Sequence, residues 1–395
     1  MMRNHREVSK CRVVLVGLII SAAPRALAQP YEILHHFAGG TSDGRFPAAA
    51  LLEGSDGALY GTAEGGGINE SGIVFMINKD GTGYTVLKYF DAGSGEGMDP
   101  RAALIEGSDG ALYGTTAFGG SNNRGTAYTL NKDGTGYAVL VNFGSEPSDG
   151  LVPNSGLLEG SDAVLYGTTL SGGSHGNGTL FTVNKDGTGY AVLKNFGDFP
   201  GDGTAPYGSV IEGSDGALYG TTYWGGFNGE GTVYTMNKDG SGYAILLSND
   251  SEPFDGMNPH AAVVEGSDGA LYGTTLTGEE IEGIAFKVNR DGMGYQILHR
   301  FNDFDGAILY AGVVEGSDNA LYGTTALGGP GHGGTVYKVS KDGSSFLTLH
   351  GFPAFAGDGR EPDATVVFGS DGALYGTTVR GGSSEDGVVF RLSFE

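Results

Sequence analysis

The chain is short of cysteine, tryptophan, cationic residues and long apolar runs. One cysteine, Cys11, and one tryptophan, Trp224, occur in 395 residues. A single thiol excludes an internal disulfide framework, so an extended core has to hold the fold, and the chain is long enough to build one. Lys and Arg total 22 against 46 Asp and Glu, a formal charge of −24. Such a field repels nucleic acid and anionic membrane surfaces, and neither is expected as a partner. The longest apolar run, Val13 to Ala23, falls well short of the ~20 residues that span a bilayer. No membrane span is expected.

That run has a different use. Arg3, Arg6, Lys10 and Arg12 precede it, and Ala26-Leu27-Ala28 gives the small-x-small pattern that signal peptidase accepts. Residues 1–28 read as a secretory signal and 29–395 as one exported domain, extracellular or periplasmic. Cys11 leaves with the signal, and the loss of five basic and one acidic residue takes the mature charge to −28.

Glycine is abundant instead: 75 residues, roughly a fifth of the chain against a usual ~7%. This load rules out a helical bundle and calls for a period. Leu-Tyr-Gly-Thr begins at Leu59, Leu112, Leu165, Leu218, Leu271, Leu321 and Leu374, at steps of 53 except for one of 50. Each unit carries Gly-Ser-Asp before this strand, a Lys-Asp-Gly or Arg-Asp-Gly turn later, and in most units Asp-Gly before the proline that opens the next. Aspartate bonds local backbone and glycine accepts positive φ, so these are turn signatures.

Four short strands lie between the turns, here named A to D; in one unit they are expected at 102–106, 111–115, 126–131 and 137–143. Tyr84, Val86 and Phe90 are expected on one face of a D strand and Leu87 on the other. A sheet apolar on both faces has to be sandwiched, as radially packed blades are. The phase of the ends decides the architecture. The last unit stops after strand C, while Tyr31 to Phe37 matches the D strand Tyr84 to Phe90. Seven A-B-C sets meet seven D strands only if the first strand completes the last blade. The expected fold is all-β: a closed seven-bladed β-propeller of four-stranded blades.

Gly-Ser-Asp-Gly-Ala-Leu-Tyr-Gly-Thr-Thr, then Gly-Gly, Gly-Thr-Val-Tyr, Lys-Asp-Gly and a Leu-x-x-Phe strand end resembles the GloVer tandem repeat of exported bacterial proteins, over essentially the whole mature chain. The motif is more loosely similar to the propeller repeats in sensor regions of two-component regulators. The resemblance implies export and a propeller but no particular reaction. Many members carry a carboxy-terminal sorting anchor; here residues 388–395 read as a strand and its end, so anchoring is not expected. The Gly-Gly doublet is also similar to kelch repeats, whose recurring tryptophan is missing here.

The seven copies compare with one another. The A-B and C-D turns are nearly invariant, whereas the B-C and D-A connections, on the opposite face, hold most of the differences. After the proline that opens strand A stand Ala48, Arg101, Asn154, Tyr207, His260, Tyr310 and Asp363; before the Gly-Gly doublet stand Gly65, Phe118, Ser171, Trp224, Thr277, Leu327 and Arg380. The first set is expected to ring the mouth of the central channel and the second to lie further out, on the concave surface where ligands bind. Neutral variation at loop positions is the alternative. Tyr207, Tyr223, Trp224 and Phe227 concentrate aromatic surface at the fourth unit, suited to stacking on sugar rings or to plugging the gap between blades.

Other constellations read as structural. Asp43, Glu96, Asp149, Asp202, Asp255, Asp305 and Asp358 recur in the D-A loops, where an Asx turn explains them better than calcium, which needs six to eight oxygens. Glu53, Glu106, Glu159, Glu212, Glu265 and Glu315 end strand A and are expected to meet turn lysines such as Lys79 and Lys132 in exposed, weak pairs. His35, His299 and His350 share a D-strand position. Arg101 and Arg380, with Arg45 and Arg360 in D-A loops, offer cations for an anionic sugar or for ordinary ion pairs. No catalytic triad, metal-ligand spacing or phosphate loop occurs, and no cofactor is expected.

The sequence thus points to an exported, monomeric, non-enzymatic propeller that binds a glycan or protein through its variable face. The alternatives are a carbohydrate-active hydrolase or lyase using acids and His260 at the channel mouth, and a purely structural envelope component.

Overall fold

Leu-Tyr-Gly-Thr forms the buried second strand of seven four-stranded antiparallel sheets. The computed structural model describes residues 30–248, 256, 258–277, 282–355 and 357–394. The proposed signal with Cys11, and Asp255 of the acidic loop set, lie outside the described residues. Blade 1 comprises strand A (Leu52–Glu53), B (Leu59–Ala63), C (Ile73–Ile77) and D (Thr85–Tyr89). Blades 2 to 6 repeat this order at 105–142, 158–195, 211–248, 264–300 and 313–353.

Blade 7 takes A, B and C from 367–392 and its D strand from Tyr31–His36. Tyr31 pairs with Leu392 and His36 with Val388, antiparallel. The seven-bladed fold with its shared last blade is therefore as expected. Apolar clusters straddle neighbouring blades: Phe37 and Val389 of blade 7 pack with Phe75 and Ile77 of blade 1. Threonine closes the ring from inside, because Thr62 Oγ1 donates to the Ala102 carbonyl of the next blade at 3.1 Å and Thr377 does the same to Ala49 at 3.1 Å.

The glycine of the B strand is required by a close approach. A Cβ at Gly61 would lie 2.5 Å from the Phe75 ring, and one at Gly114 would lie 2.6 Å from the Tyr128 hydroxyl. The seven cross-strand rings alternate between Phe and Tyr, and Tyr128, Tyr234 and Tyr337 bury hydroxyls that find no hydrogen-bond partner. A buried unpaired hydroxyl costs about 1–3 kcal/mol. Tyr128→Phe, Tyr234→Phe and Tyr337→Phe are each expected to raise stability by on the order of 1 kcal/mol in chemical denaturation; a loss of stability would show that these hydroxyls are satisfied.

Two strand assignments differ from expectation. Strand A of blade 2 is only Ile105–Glu106, because Ala102 at its start bonds the preceding blade rather than its own strand B. Phe90 packs with Leu87, Leu104 and Tyr128, not with Tyr84 and Val86. A β-bulge places Leu87 between the pairs Val74–Lys88 and Phe75–Val86, and that extra residue reverses the alternation beyond it.

One face of the disc is occupied by interblade clasps. Glu106 Oε2 accepts from Ser55 N at 2.7 Å, Glu106 Oε1 from Ser55 Oγ at 2.6 Å, and Lys132 Nζ bridges Glu106 and Ser55 at 2.6 and 2.7 Å. Ser370, Glu53 and Lys79 repeat this across the closure. The serines are exposed and the Glu and Lys side chains half-buried, so these pairs lie at the surface as the sequence suggests. Partial burial pushes the Glu53 carboxyl up, and the bonds from Lys79 and Ser370 outweigh it, leaving the pKa below the ordinary value. At the blade 6–7 junction Phe368 replaces the glutamate and packs edge-on against Tyr322 at 5.0 Å.

On the other face the loop acids clasp adjacent D strands instead of closing local Asx turns. Asp202 accepts from Lys194 of blade 3 at 2.8 Å, from Tyr243 of blade 4 at 2.6 Å and from three backbone amides. Asp43 likewise joins His35 to Tyr84. The three aligned histidines belong to this device: His35 stacks on Tyr84 at 3.6 Å, His299 on Phe346 at 3.7 Å and His350 on Tyr31 at 4.1 Å. Each faces its own loop aspartate.

Candidate functional site

A repeated backbone turn aims the variable residues. The residue before the strand-A proline, or before Leu309 in blade 6, is left-handed in every blade, with φ between +55° and +62° at Phe46, Asp99, Val152, Ala205, Asn258, Ile308 and Glu361. Side chains are disfavoured there. Two bonds pin it: Asp99 N donates to Ser71 O of the preceding blade at 3.1 Å, and Asp99 O accepts from Ala117 N at 3.0 Å. The residue two positions on then faces the channel.

All seven residues of the first variable set line one central cavity of about 460 Å³: Ala48, Arg101, Asn154, Tyr207, His260, Tyr310 and Asp363. Small residues such as Ala50, Ala103 and Gly156 form the wall beside them. Blade order divides the ring into two arcs. Tyr207, His260 and Tyr310 of blades 4 to 6 form an aromatic arc, with Tyr207 stacked on His260 at 4.7 Å and Tyr310 edge-on to His260 at 5.1 Å. Asp363 and Arg101, flanking Ala48, carry the ionic arc together with Glu64.

The second variable set lies outside this cavity, and its members have separate roles. Their segments pair with the preceding D-A loop as two-residue ribbons, for example Phe118 with Met98, Trp224 with Thr204 and Arg380 with Arg360. Phe118 lies under the Arg101 guanidinium at 5.7 Å. Tyr223 backs the aromatic arc, 5.1 Å from Tyr207, and Trp224 meets Tyr223 edge-on at 4.7 Å. Arg380 Nε binds Glu361 at 3.1 Å. Arg45 and Arg360 hold Glu70 and Glu385, so the four arginines do not converge on one anion site. Phe227 does not join the aromatic cluster; its ring lies against Gly201 and is 76% exposed.

Glu64, Asp99 and Glu361 belong to the ionic arc or its support and are missed by comparing the two chosen sets. Glu64 occupies the position of Tyr223, one residue before the second set, and Asp99 and Glu361 precede the proline. Those columns also vary among copies, which is the signal that would have found them.

Burial, with Glu361 and Glu64 nearby, pushes the Asp363 carboxyl up to about 7, with Arg380 acting in the opposite sense. Burial likewise raises Glu64, opposed by Arg101 and aided by Asp99. His260 is held below its ordinary value by burial, against a bond from its Nδ1 to the Tyr310 carbonyl at 3.1 Å. The carbonyl can only accept, so Nδ1 carries the proton and Nε2 is the acceptor. The ring therefore combines a carboxyl that titrates near neutrality with a neutral imidazole.

Closed blades and a variable channel mouth define a β-propeller repeat protein. The model of the Gloeobacter/Verrucomicrobia repeat matches residues 17–162, 99–314 and 276–395, and the chain belongs to that family. No curated protein matches the sequence. Among solved structures, the extracellular domain of a putative one component system from B. thetaiotaomicron aligns with TM-score 0.58 and 12% identity, over 92% of this chain and 40% of that one. An oligogalacturonate lyase from Vibrio parahaemolyticus aligns with TM-score 0.57 and 12% identity, over 93% and 98% of the two chains. A chain of the mitotic checkpoint complex aligns with TM-score 0.58 and 12% identity, over 99% of each. At such identities the likeness concerns the fold alone. No helix among the described residues is long and apolar enough to cross a membrane.

Proposed function

We propose that the protein is an exported, non-enzymatic propeller that binds a glycan through the face bearing the B-C and D-A loops, with the channel mouth as its specific site. The observation that carries this reading is the convergence of all seven first-set residues on one cavity, where they sort into an aromatic and an ionic arc. Neutral drift has no reason to sort chemistry by blade. The opposite face, by contrast, repeats one Ser-Glu clasp at six of the seven junctions, closed by Lys at five and by Arg290 at the sixth. Exposed aromatics favour the same side: Phe199, Trp224, Phe227, Phe304 and Phe355 are all in D-A or B-C connections. Aromatic faces bordered by hydrogen-bonding groups suit sugar rings.

Catalysis is the second reading, favoured by Asp363, its carboxyl pushed up toward neutrality, and the neutral His260 lining one cavity, since a raised acid and an imidazole base are what proton transfer at a sugar carbon or glycosidic oxygen needs. One experiment separates the two. A glycan array is expected to show binding by the parent that falls at least about tenfold in Tyr207→Ala and in Arg101→Ala, with no turnover of a polysaccharide panel. Turnover that disappears in His260→Ala would replace the binding reading with the enzymatic one. Binding unchanged in both ring variants would move the site off the channel.

A further inference from the structure

The channel mouth leaves a specific demand unmet. Asp363 Oδ1 and Asn154 Oδ1 are buried acceptors with no hydrogen-bond donor. Of the nearby cations, Arg380 is bound to Glu361 at 3.1 Å, while Arg101 pairs with Asp99 at 3.4 Å and lies 3.8 Å from Glu64, its Nε left without a hydrogen-bond partner. Carboxylates alone would be satisfied by water, but an oxygen shielded from water needs a donor that arrives with an occupant. The other arc offers the π faces of Tyr207 and Tyr310, which attract cations as well as sugar rings. A metal ion would use the oxygens and leave the aromatic arc without a purpose.

We propose that the occupant carries an ammonium group, an amino sugar being the class that fits both arcs, with its charge at Asp363 and a ring face on the Tyr207–Tyr310 arc. This deepens, and rests on, the reading of the channel mouth as a glycan site. Arrival of the cation favours the ionised Asp363 carboxylate, so binding releases a proton from the protein to the buffer.

The test is calorimetric titration of the full chain with glucosamine dimer, with its N-acetylated counterpart, with cellobiose and with calcium chloride, each in two buffers of different ionisation enthalpy. The glucosamine dimer is expected to bind at least about tenfold more tightly than the N-acetylated dimer, with proton release to the buffer. Asp363→Asn and, independently, Glu361→Gln should reduce that preference, and a cooperative melt of each variant shows that it folds. Equal or tighter binding of the N-acetylated dimer or cellobiose overturns the charge preference while keeping the channel as a carbohydrate site. Calcium binding lost in Asp363→Asn replaces the amine with a metal. Failure of both glucosamine and neutral probes to bind at about 1 mM overturns the proposal, and the array separately decides whether any glycan binds.

Discussion

Deleting residues 31–37 is expected to abolish the monomeric fold. Phe37 is fully buried between blades 7 and 1, Ile33 and Tyr31 pack on the blade 6–7 cluster, and Leu34 packs on the blade 7–1 cluster. At about 1.5–3 kcal/mol for the fully buried Phe37 and about half that for each of the three half-buried side chains, the loss is roughly 4–8 kcal/mol, comparable to the whole stability of many domains. The deletion also bares the Val388–Leu392 strand as an apolar edge, which invites pairing with another copy. Size exclusion should show oligomers or aggregate, and a peptide of residues 30–38 added during refolding should restore a monomer. A truncated monomer melting with the parent would refute closure by this strand.

Asp363→Asn is expected to stabilise the protein at alkaline pH. The folded carboxyl titrates near 7 against an ordinary 3.8, so its proton is bound more tightly in the folded state. Stability from this group is fully present below about pH 4 and is lost as pH rises through 7. Removing the charge should therefore add on the order of 2–4 kcal/mol at pH 8 and little at pH 4. The clasp carboxylates have the opposite sign: Glu53 and Glu106, with pKa values below ordinary, contribute stability above about pH 4.5 that is lost as pH falls through their folded values. Denaturation midpoints of the parent should peak in mildly acidic buffer, and those of the variant should stay flat toward pH 8. An alkaline decline of equal size in both would exonerate Asp363.

Such a carboxylate is a cost that the fold carries at its channel mouth, while the seven Tyr-Asp bonds beside the B strands, such as Tyr60 to Asp56 at 2.6 Å, are spent on scaffold. That contrast between a satisfied face and an unsatisfied mouth is the physical reason for placing function there.

Much of this was legible in the chain itself. Turn signals recur in phase, and the match of Tyr31–Phe37 to Tyr84–Phe90 reveals the shared blade, because a propeller with unpaired ends would expose edges. The channel ring was legible too, since copies of one unit act as their own alignment. The two-residue ribbons such as Gly97–Met98 with Phe118–Gly119 were not, because two residues carry no periodicity. The bulge at Leu87 was not, because an inserted residue changes facing without changing composition. Glu64 stayed hidden because its importance comes from the blade next door, through Arg101, and Glu361 because only the folded loop sets its charge beside the buried Asp363 two residues on.

Trp224 offers the most direct check on the channel mouth, as the one tryptophan and two ring contacts from its wall: edge-on to Tyr223, which packs on Tyr207. Its emission, followed while the parent is titrated with the tightest glycan from the array, should change saturably, and the change should vanish in a folded Tyr207→Ala, Arg101→Ala double variant. The same saturable change, at the same midpoint, in parent and variant alike would contradict the account.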